Sequence, residues 1–561
     1  MEINHLFTTQ GEAFTGKEYD EYYPRPMLKR DSFFSLNGKW RLKYGDGQEI
    51  FINVPFAPES ILSGVFKSFK EDVHLIYSKK FTLPKGFLKD RVIINFGAVD
   101  QICVVYLNGH KVGKNVGGYN SFSFDITDYL EEENTLVVEV WDNLSDKALP
   151  YGKQDCKRGG MWYTPVSGIW QSVWLESVPK KYIKSIKATT TLNGAKIYFT
   201  GIDDGTLKLT TPQGVKAYEI DHGICEIKLD NPQLWSPHSP YLYYYTVKAG
   251  EDTVLSYFAI RELSIKEING TQRICLNGEP IFFHGVLDQG YFSDGIYTPA
   301  NPLMYDEDIK AMKSLGFNTL RKHIKVEPEQ FYYACDKLGM IVFQDMVNNG
   351  SYSFLRDTAL PTVITKKVPL TPMIRSKREK ACFYDGMKKT VNQLFNHPCI
   401  CYWTIFNEGW GQFDSEKAYD MLYSLDQTRI IDTTSGWFKG KKSQVESLHI
   451  YFKKIKLKKR NKPIILSEFG GYSYKVENHC ANTKKTYGYK LFDNREEFEN
   501  ELIRLYEEQV IPGIEKGLCG AIYTQLSDVE DETNGLITYD RRYVKVSAER
   551  MLNIAEKLKI N

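Results

Sequence analysis

At 561 residues the chain is too long for one ordinary core and implies two to four domains. Its 72 Lys plus Arg balance 70 Asp plus Glu, which gives no support to a nucleic-acid partner, and no stretch approaches a membrane span. Ten cysteines without a CxxC pair make zinc and redox chemistry weak readings, with Cys399 and Cys401 read as small core residues.

The start, Met1-Glu-Ile-Asn-His-Leu, lacks a basic segment followed by an apolar run, so a cytoplasmic protein with reduced thiols is expected. Residues 1–180 read as short alternating strands broken by turns, the pattern of a jelly-roll β-sandwich. Asn108-Gly109 between two apolar runs predicts a tight hairpin. The stretch Gly159–Gln171, dense in glycine and aromatics, is open to two readings: a binding rim, or packing within the domain. Residues 181–265 alternate again and have the size of an immunoglobulin-like sandwich, with spacer as its default role.

From residue 266 to 561 the pattern becomes strands alternating with amphipathic helices, which implies parallel βα units. Strands are predicted at 280–286, 317–323, 340–346, 399–407, 429–434, 446–451, 462–467 and 519–525. Helices are predicted at 306–315, 327–338, 376–396, 414–426, 497–516 and 546–558. Eight such strands predict a (β/α)₈ TIM barrel, whose catalytic residues gather at the C-terminal strand ends. The longest irregular piece, 347–374, follows the third strand on that face, where long loops are functional or disordered.

The strand ends supply Asp288, Arg321 with His323, Asp345, Asn407 with Glu408, His449 with Tyr451, Glu468, and Gln525 with Asp528. Trp437, after the fifth strand, is a further substrate-binding candidate. Two glutamates following apolar strands point to glycoside hydrolysis, in which one carboxyl is acid/base and the other nucleophile or base. The acid needs a raised pKa, which Trp410 could supply by desolvation, while Arg321 and Tyr451 suit an ionised nucleophile at Glu468. Asn407 suits the sugar 2-OH. Arg321 could instead be a structural ion-pair partner, Asp345 a cap, and one of His449 and Tyr451 mere packing.

Asn407-Glu408-Gly-Trp-Gly and Ser467-Glu468-Phe-Gly-Gly resemble the acid/base and nucleophile motifs of glycoside hydrolase family 2. Tyr23-Pro-Arg-Pro, Leu36-Asn-Gly-Lys-Trp and Ser167-Gly-Ile-Trp-Gln are similar to its N-terminal sugar-binding jelly roll. Phe258-Ala-Ile-Arg261 resembles its central sandwich, and Gly316-Phe-Asn-Thr-Leu-Arg321-Lys-His323 its second barrel strand. The resemblance implies retaining hydrolysis of a terminal β-linked sugar, with Glu408 protonating the leaving oxygen and Glu468 forming a glycosyl-enzyme. A β-galactoside is ranked first on family breadth. A β-uronide follows, because Arg321, Lys322 and the Asn482-Thr-Lys484 triplet offer cations. After the first strand Gly285-Val-Leu-Asp288-Gln departs from the Asn-x-His-Glu run of large members, and Glu532-Thr-Asn534 stands where glucuronidases carry their Asn-x-Lys. No cofactor or metal is called for. The expected partner is a carbohydrate or glycoconjugate, and a homo-oligomer is plausible for the fold. The rival of another class is a carbohydrate-binding homologue that has lost activity.

Overall fold

The computed structural model describes residues 5–45, 47–69, 72–359, 368–369, 375–408, 410–439 and 441–560. The N-terminal strands form two antiparallel sheets, one of four strands and one of six, closed over a core that includes Trp40, Tyr77, Val105 and Val138. The predicted hairpin joins Ile102–Leu107 to His110–Val116, with Asn108 and Gly109 at φ +50° and +81°. Positive φ at both positions is what a two-residue turn between right-twisted strands requires. Three- and four-stranded antiparallel sheets follow over 185–258, packed about Ile197, Leu209, Tyr245 and Val247. A short hairpin, Leu263–Ile268 with Thr271–Leu276, then leads to the barrel.

The eight barrel strands are β1 (Phe283–Asp288), β2 (Thr319–Lys322), β3 (Ile341–Asp345), β4 (Ile400–Asn407), β5 (Ile430–Ser435), β6 (Glu446–Ile450), β7 (Ile464–Phe469) and β8 (Leu518–Tyr523). All pair in parallel, in the order β5-β4-β3-β2-β1-β8-β7-β6. Among the described residues no ladder joins β5 to β6; Ser435 Oγ bridges the gap to His449 Nε2 at 2.8 Å. Every residue of β4 is buried, so both faces of the strand are spent on packing until its last residue delivers the chain to the rim.

Helices α1 (Leu303–Ser314), α2 (Glu329–Leu338), α3 (Lys377–Leu394), α4 (Ser415–Leu425), α5 (Arg495–Leu505) and α6 (Ala548–Lys557) lie between and after the strands. Among the described residues the β5–β6 and β6–β7 connections hold no helix, in line with the predicted helices. A capping box, Ser376 with Glu379, starts α3, and left-handed Gly339 ends α2. The first strand begins three residues later than predicted, at Phe283, because 279–280 pair with the preceding hairpin instead. Of the long 347–374 piece, 360–367 and 370–374 lie outside the described residues. No helix among the described residues is long and apolar enough to cross a membrane, and none of the ten cysteines is in a disulfide.

Candidate active site

Arg321, on the inward face of β2, organises the barrel mouth. Its side chain is fully buried and all its nitrogens are engaged. Nε donates to Asp345 Oδ1 at 3.0 Å, Nη1 to Glu468 Oε1 at 2.9 Å and to the Ser467 carbonyl, and Nη2 to Asn407 Oδ1 at 2.8 Å. Burial pulls its pKa down, but the Asp345 and Glu468 carboxylates outweigh it and hold the guanidinium charged. Asp345 is completed by His323 Nδ1 at 2.8 Å; burial raises its pKa, and Arg321 and His323 bring it below the ordinary value. Asp345 is therefore a support behind the site, fixed through two residues that alternate onto one face of β2.

Glu468 closes β7 and receives Arg321 on Oε1 and the Tyr451 hydroxyl on Oε2. Tyr451 is itself held by stacking on Tyr489, ring centroids 4.0 Å apart. Glu408 follows β4 in the left-handed region, φ +52°, with its N–H on the Ser435 carbonyl. A non-glycine residue there is uncommon and characteristic of functional turns. Burial raises the Glu408 pKa above the usual carboxylate value, although Lys153, His323 and Arg321 pull against it. Trp410 stands in the wall beside it, edge-on to Trp162 at 5.0 Å and to Tyr151 at 5.4 Å.

His449 links the two glutamates. Nδ1 meets Glu408 Oε1 at 2.7 Å and lies 3.6 Å from Glu468 Oε1; Nε2 meets Ser435 Oγ and, at 3.3 Å, Arg321 Nη1. Burial holds its pKa down at about 3, so the ring is neutral at working pH. Because arginine only donates, Nε2 is the acceptor and Nδ1–H donates to Glu408. Both nitrogens are thus engaged within the protein, by Glu408 on one side and by Ser435 and Arg321 on the other. Trp437, half-buried, packs edge-on to His449 and donates to its carbonyl at 3.3 Å. One ligand atom each from Glu408, His449 and Glu468 fall within 4.8 Å of one another. That spacing could seat a metal ion, but Arg321 already supplies positive charge against Glu468 and would repel a dication.

Other candidates lie elsewhere. Asp288 accepts Lys322 Nζ at 2.5 Å and the Gly290 N–H, and Lys322 also pairs with Glu327. Strand alternation turns Lys322 away from Arg321 and toward the helices, so it offers no cation to a substrate. Asn482 donates to Asp531 Oδ1 and caps the N–H groups of Lys484 and Lys485; Lys484 is exposed at the surface. The triplet forms a turn capped by the Asn482 side chain. Asp528 pairs with Lys545 at 2.6 Å. Gln525 is buried and donates to Glu532 Oε2 and Asn534 Oδ1, behind the cleft.

Sequence reasoning missed Lys153 and Ser435, and met Glu532 only as a departure from the glucuronidase pattern. Glu532 is buried, receives the Tyr163 hydroxyl at 2.7 Å and Gln525 at 2.8 Å, and burial pushes its pKa to about 7. The Gly159–Gln171 stretch packs onto the barrel loops: Trp162 meets Trp410 and Tyr352, and Tyr163 reaches the loop after β8.

Two sandwiches ahead of a parallel barrel, with paired glutamates at the C-terminal ends of β4 and β7, define a carbohydrate-active barrel architecture. The chain belongs to glycosyl hydrolase family 2. Residues 17–179 match that family's sugar binding domain, 181–261 its central domain and 267–549 its TIM barrel domain. Among relatives, a β-galactosidase of Thermoanaerobacter pseudethanolicus is 26% identical over 425 residues, 70% of this chain and 53% of its own. A putative β-glucuronidase of Formosa agariphila is 26% identical over 69% of this chain and 49% of its own. The chain thus spans about half the length of the curated relatives it matches. The solved β-D-glucuronidase of Dictyoglomus thermophilum superposes with a TM-score of 0.74 at 18% identity, covering 96% of this chain and 99% of that one. The β-galacturonidase of Eisenbergiella tayi gives 0.67 at 18%, covering 96% and 98%.

Proposed function

We propose that the protein is an exo-β-glycosidase that hydrolyses a terminal β-linked sugar by double displacement with net retention. Glu468, held by Arg321 and Tyr451, attacks the anomeric carbon as the nucleophile. Glu408 protonates the departing oxygen, then as carboxylate takes a proton from the water that releases the sugar. Asn407, whose Oδ1 is occupied by Arg321, turns its Nδ2 donor to the 2-OH. The observation that carries this reading is the spacing of the pair, with a carboxylate oxygen of each within 4.8 Å. Retaining enzymes hold the carboxyl groups ~5–5.5 Å apart, against ~6.5–9.5 Å when a water must fit between them.

For the glycone, the names of the relatives keep a β-galactoside in view. A β-uronide is favoured by one observation, a lone ammonium in the cleft, taken up below. Early proton NMR spectra of hydrolysis of an aryl β-glycoside should show the β-anomer first; an α-anomer would overturn retention. Glu468→Gln should lose at least ~1000-fold in kcat, as removal of a nucleophile does.

A further inference from the structure

The mechanism above leaves Lys153 without a task. It belongs to the jelly roll, in a loop that runs onto the barrel. Its neighbour Gly152 sits at φ +63°, where a Cβ would come within 3.1 Å of the Ile324 carbonyl and 2.8 Å of the Tyr119 hydroxyl. On the other side Gln154 donates to Asp100 and Tyr119, and the Lys153 carbonyl accepts the Tyr163 N–H at 3.0 Å. The backbone is therefore pinned against the barrel mouth. Lys153 is 8% exposed, its ammonium lies 5.9 Å from the Trp162 ring, and its charge is felt by both Glu408 and Glu532. Among the described residues, none makes a hydrogen bond or ion pair with this ammonium. A nearly buried cation without a partner is costly, and the cost is offset when an anion arrives.

The position of that anion follows from the ring. The two ring neighbours of the anomeric carbon are C2 and the ring oxygen, so the 2-OH and the C5 substituent lie on opposite sides of it. Asn407, holding the 2-OH, ends β4. In an eight-stranded barrel β8 stands across from β4, and Glu532, in the loop after β8, accepts the hydroxyl of Tyr163, whose N–H bonds the Lys153 carbonyl. The C5 substituent is therefore directed toward Lys153. We propose that Lys153 is the receptor for a carboxylate on C5 of the glycone, which makes the substrate a β-uronide. The proposal rests on the family reaction described above. Glu532, pinned on Oε2 by Tyr163 and Gln525, is the neighbouring group for the 4-OH. In its protonated form it donates a hydrogen bond without opposing the substrate's charge.

The test uses the full chain with p-nitrophenyl β-D-glucuronide, β-D-galacturonide, β-D-galactoside and 6-sulfo-β-D-galactoside. One uronide should exceed the galactoside by ~100-fold in kcat/KM, the worth of a desolvated charge pair. Lys153→Met should lose ~100-fold on that uronide, chiefly through KM, and far less on the galactoside; Lys153→Arg should recover to within ~10-fold. Preference for either galactoside, neutral or sulfated, or an equal loss on all substrates in Lys153→Met, overturns the carboxylate reading while leaving the glycosidase intact. If no glycoside turns over, the proposed function fails. Calorimetric titration with free glucuronate and galacturonate then decides Lys153 alone: binding lost in Lys153→Met sustains it, and absence of binding by the native chain ends it.

Discussion

The proton that moves in the proposed reaction is confined to one oxygen. His449 is neutral and its Nδ1–H occupies Glu408 Oε1, so the transferable proton rides on Oε2. Burial raises the Glu408 pKa, so the acid form persists to higher pH than an exposed glutamate allows and is lost as pH rises through that raised value. The basic limb of kcat/KM is therefore assigned to Glu408. In Glu408→Ala the limb should disappear, with a loss of ~100–10,000-fold on alkyl β-glycosides and little on a dinitrophenyl leaving group, which departs unprotonated. A pH profile with stopped-flow bursts reads both effects, and an unchanged basic limb would remove Glu408 from the role. Glu468 is held instead by hydrogen bonds from Arg321 on Oε1 and from the Tyr451 hydroxyl on Oε2.

The turn after β4 converts strand geometry into site geometry. Glu408 takes positive φ, Trp410 N–H returns to the Asn407 carbonyl, and Gly411 at φ +71° passes the Asn349 carbonyl so closely that a Cβ would lie 2.4 Å from it. Gly411→Ala should shift the turn, lowering kcat by ~10–100-fold, since small misplacements of a catalytic group are that costly. It should also lower the melting temperature, by strain of about 1–3 kcal/mol; wild-type kcat in this variant would show that the turn does not position Glu408. Elements of this kind explain what the sequence revealed. The barrel strands were legible because parallel strands buried on both faces are written as apolar runs, and the helices because their faces alternate with period 3.6. Arg321, Asn407, Glu408, Tyr451 and Glu468 were legible as polar residues ending such runs. Lys322 and Lys484 misled, because a cation near a site in sequence can face the helices or end a surface turn. Lys153 was invisible for the converse reason: it is far from both glutamates in the chain, and its only local sign is a glycine that lets the loop approach the barrel.

The three sheet systems divide the work between the two ends of the barrel. At the mouth the jelly roll contributes Lys153, Trp162 and Tyr163, so the cleft is completed by a domain that carries neither glutamate. At the opposite end the central sandwich contributes Arg261. Its Nε donates to the Pro398 carbonyl at 2.7 Å, and its Nη2 to that of Ile400 at 2.7 Å, where the chain enters β4. Nη1 reaches the Thr428 carbonyl ahead of β5 at 3.4 Å. One side chain thus registers the starts of β4 and β5 whose other ends carry Asn407 and Ser435. Groups at the N-terminal face of such barrels govern stability, and those at the C-terminal face chemistry. Arg261→Met keeps the length of the side chain but takes the guanidinium donor from the Pro398 carbonyl, while the Ile400 carbonyl keeps only Arg429 Nε at 3.1 Å. It should cost about 2–4 kcal/mol, read as a lower urea midpoint. Because Arg321, on β2, and Ser435, on β5, hold the mouth independently, kcat/KM at low temperature should stay within ~3-fold of wild type. A large loss of activity without a shift of the midpoint would mean that the central sandwich communicates with the cleft, and that its part in the molecule exceeds that of a structural support.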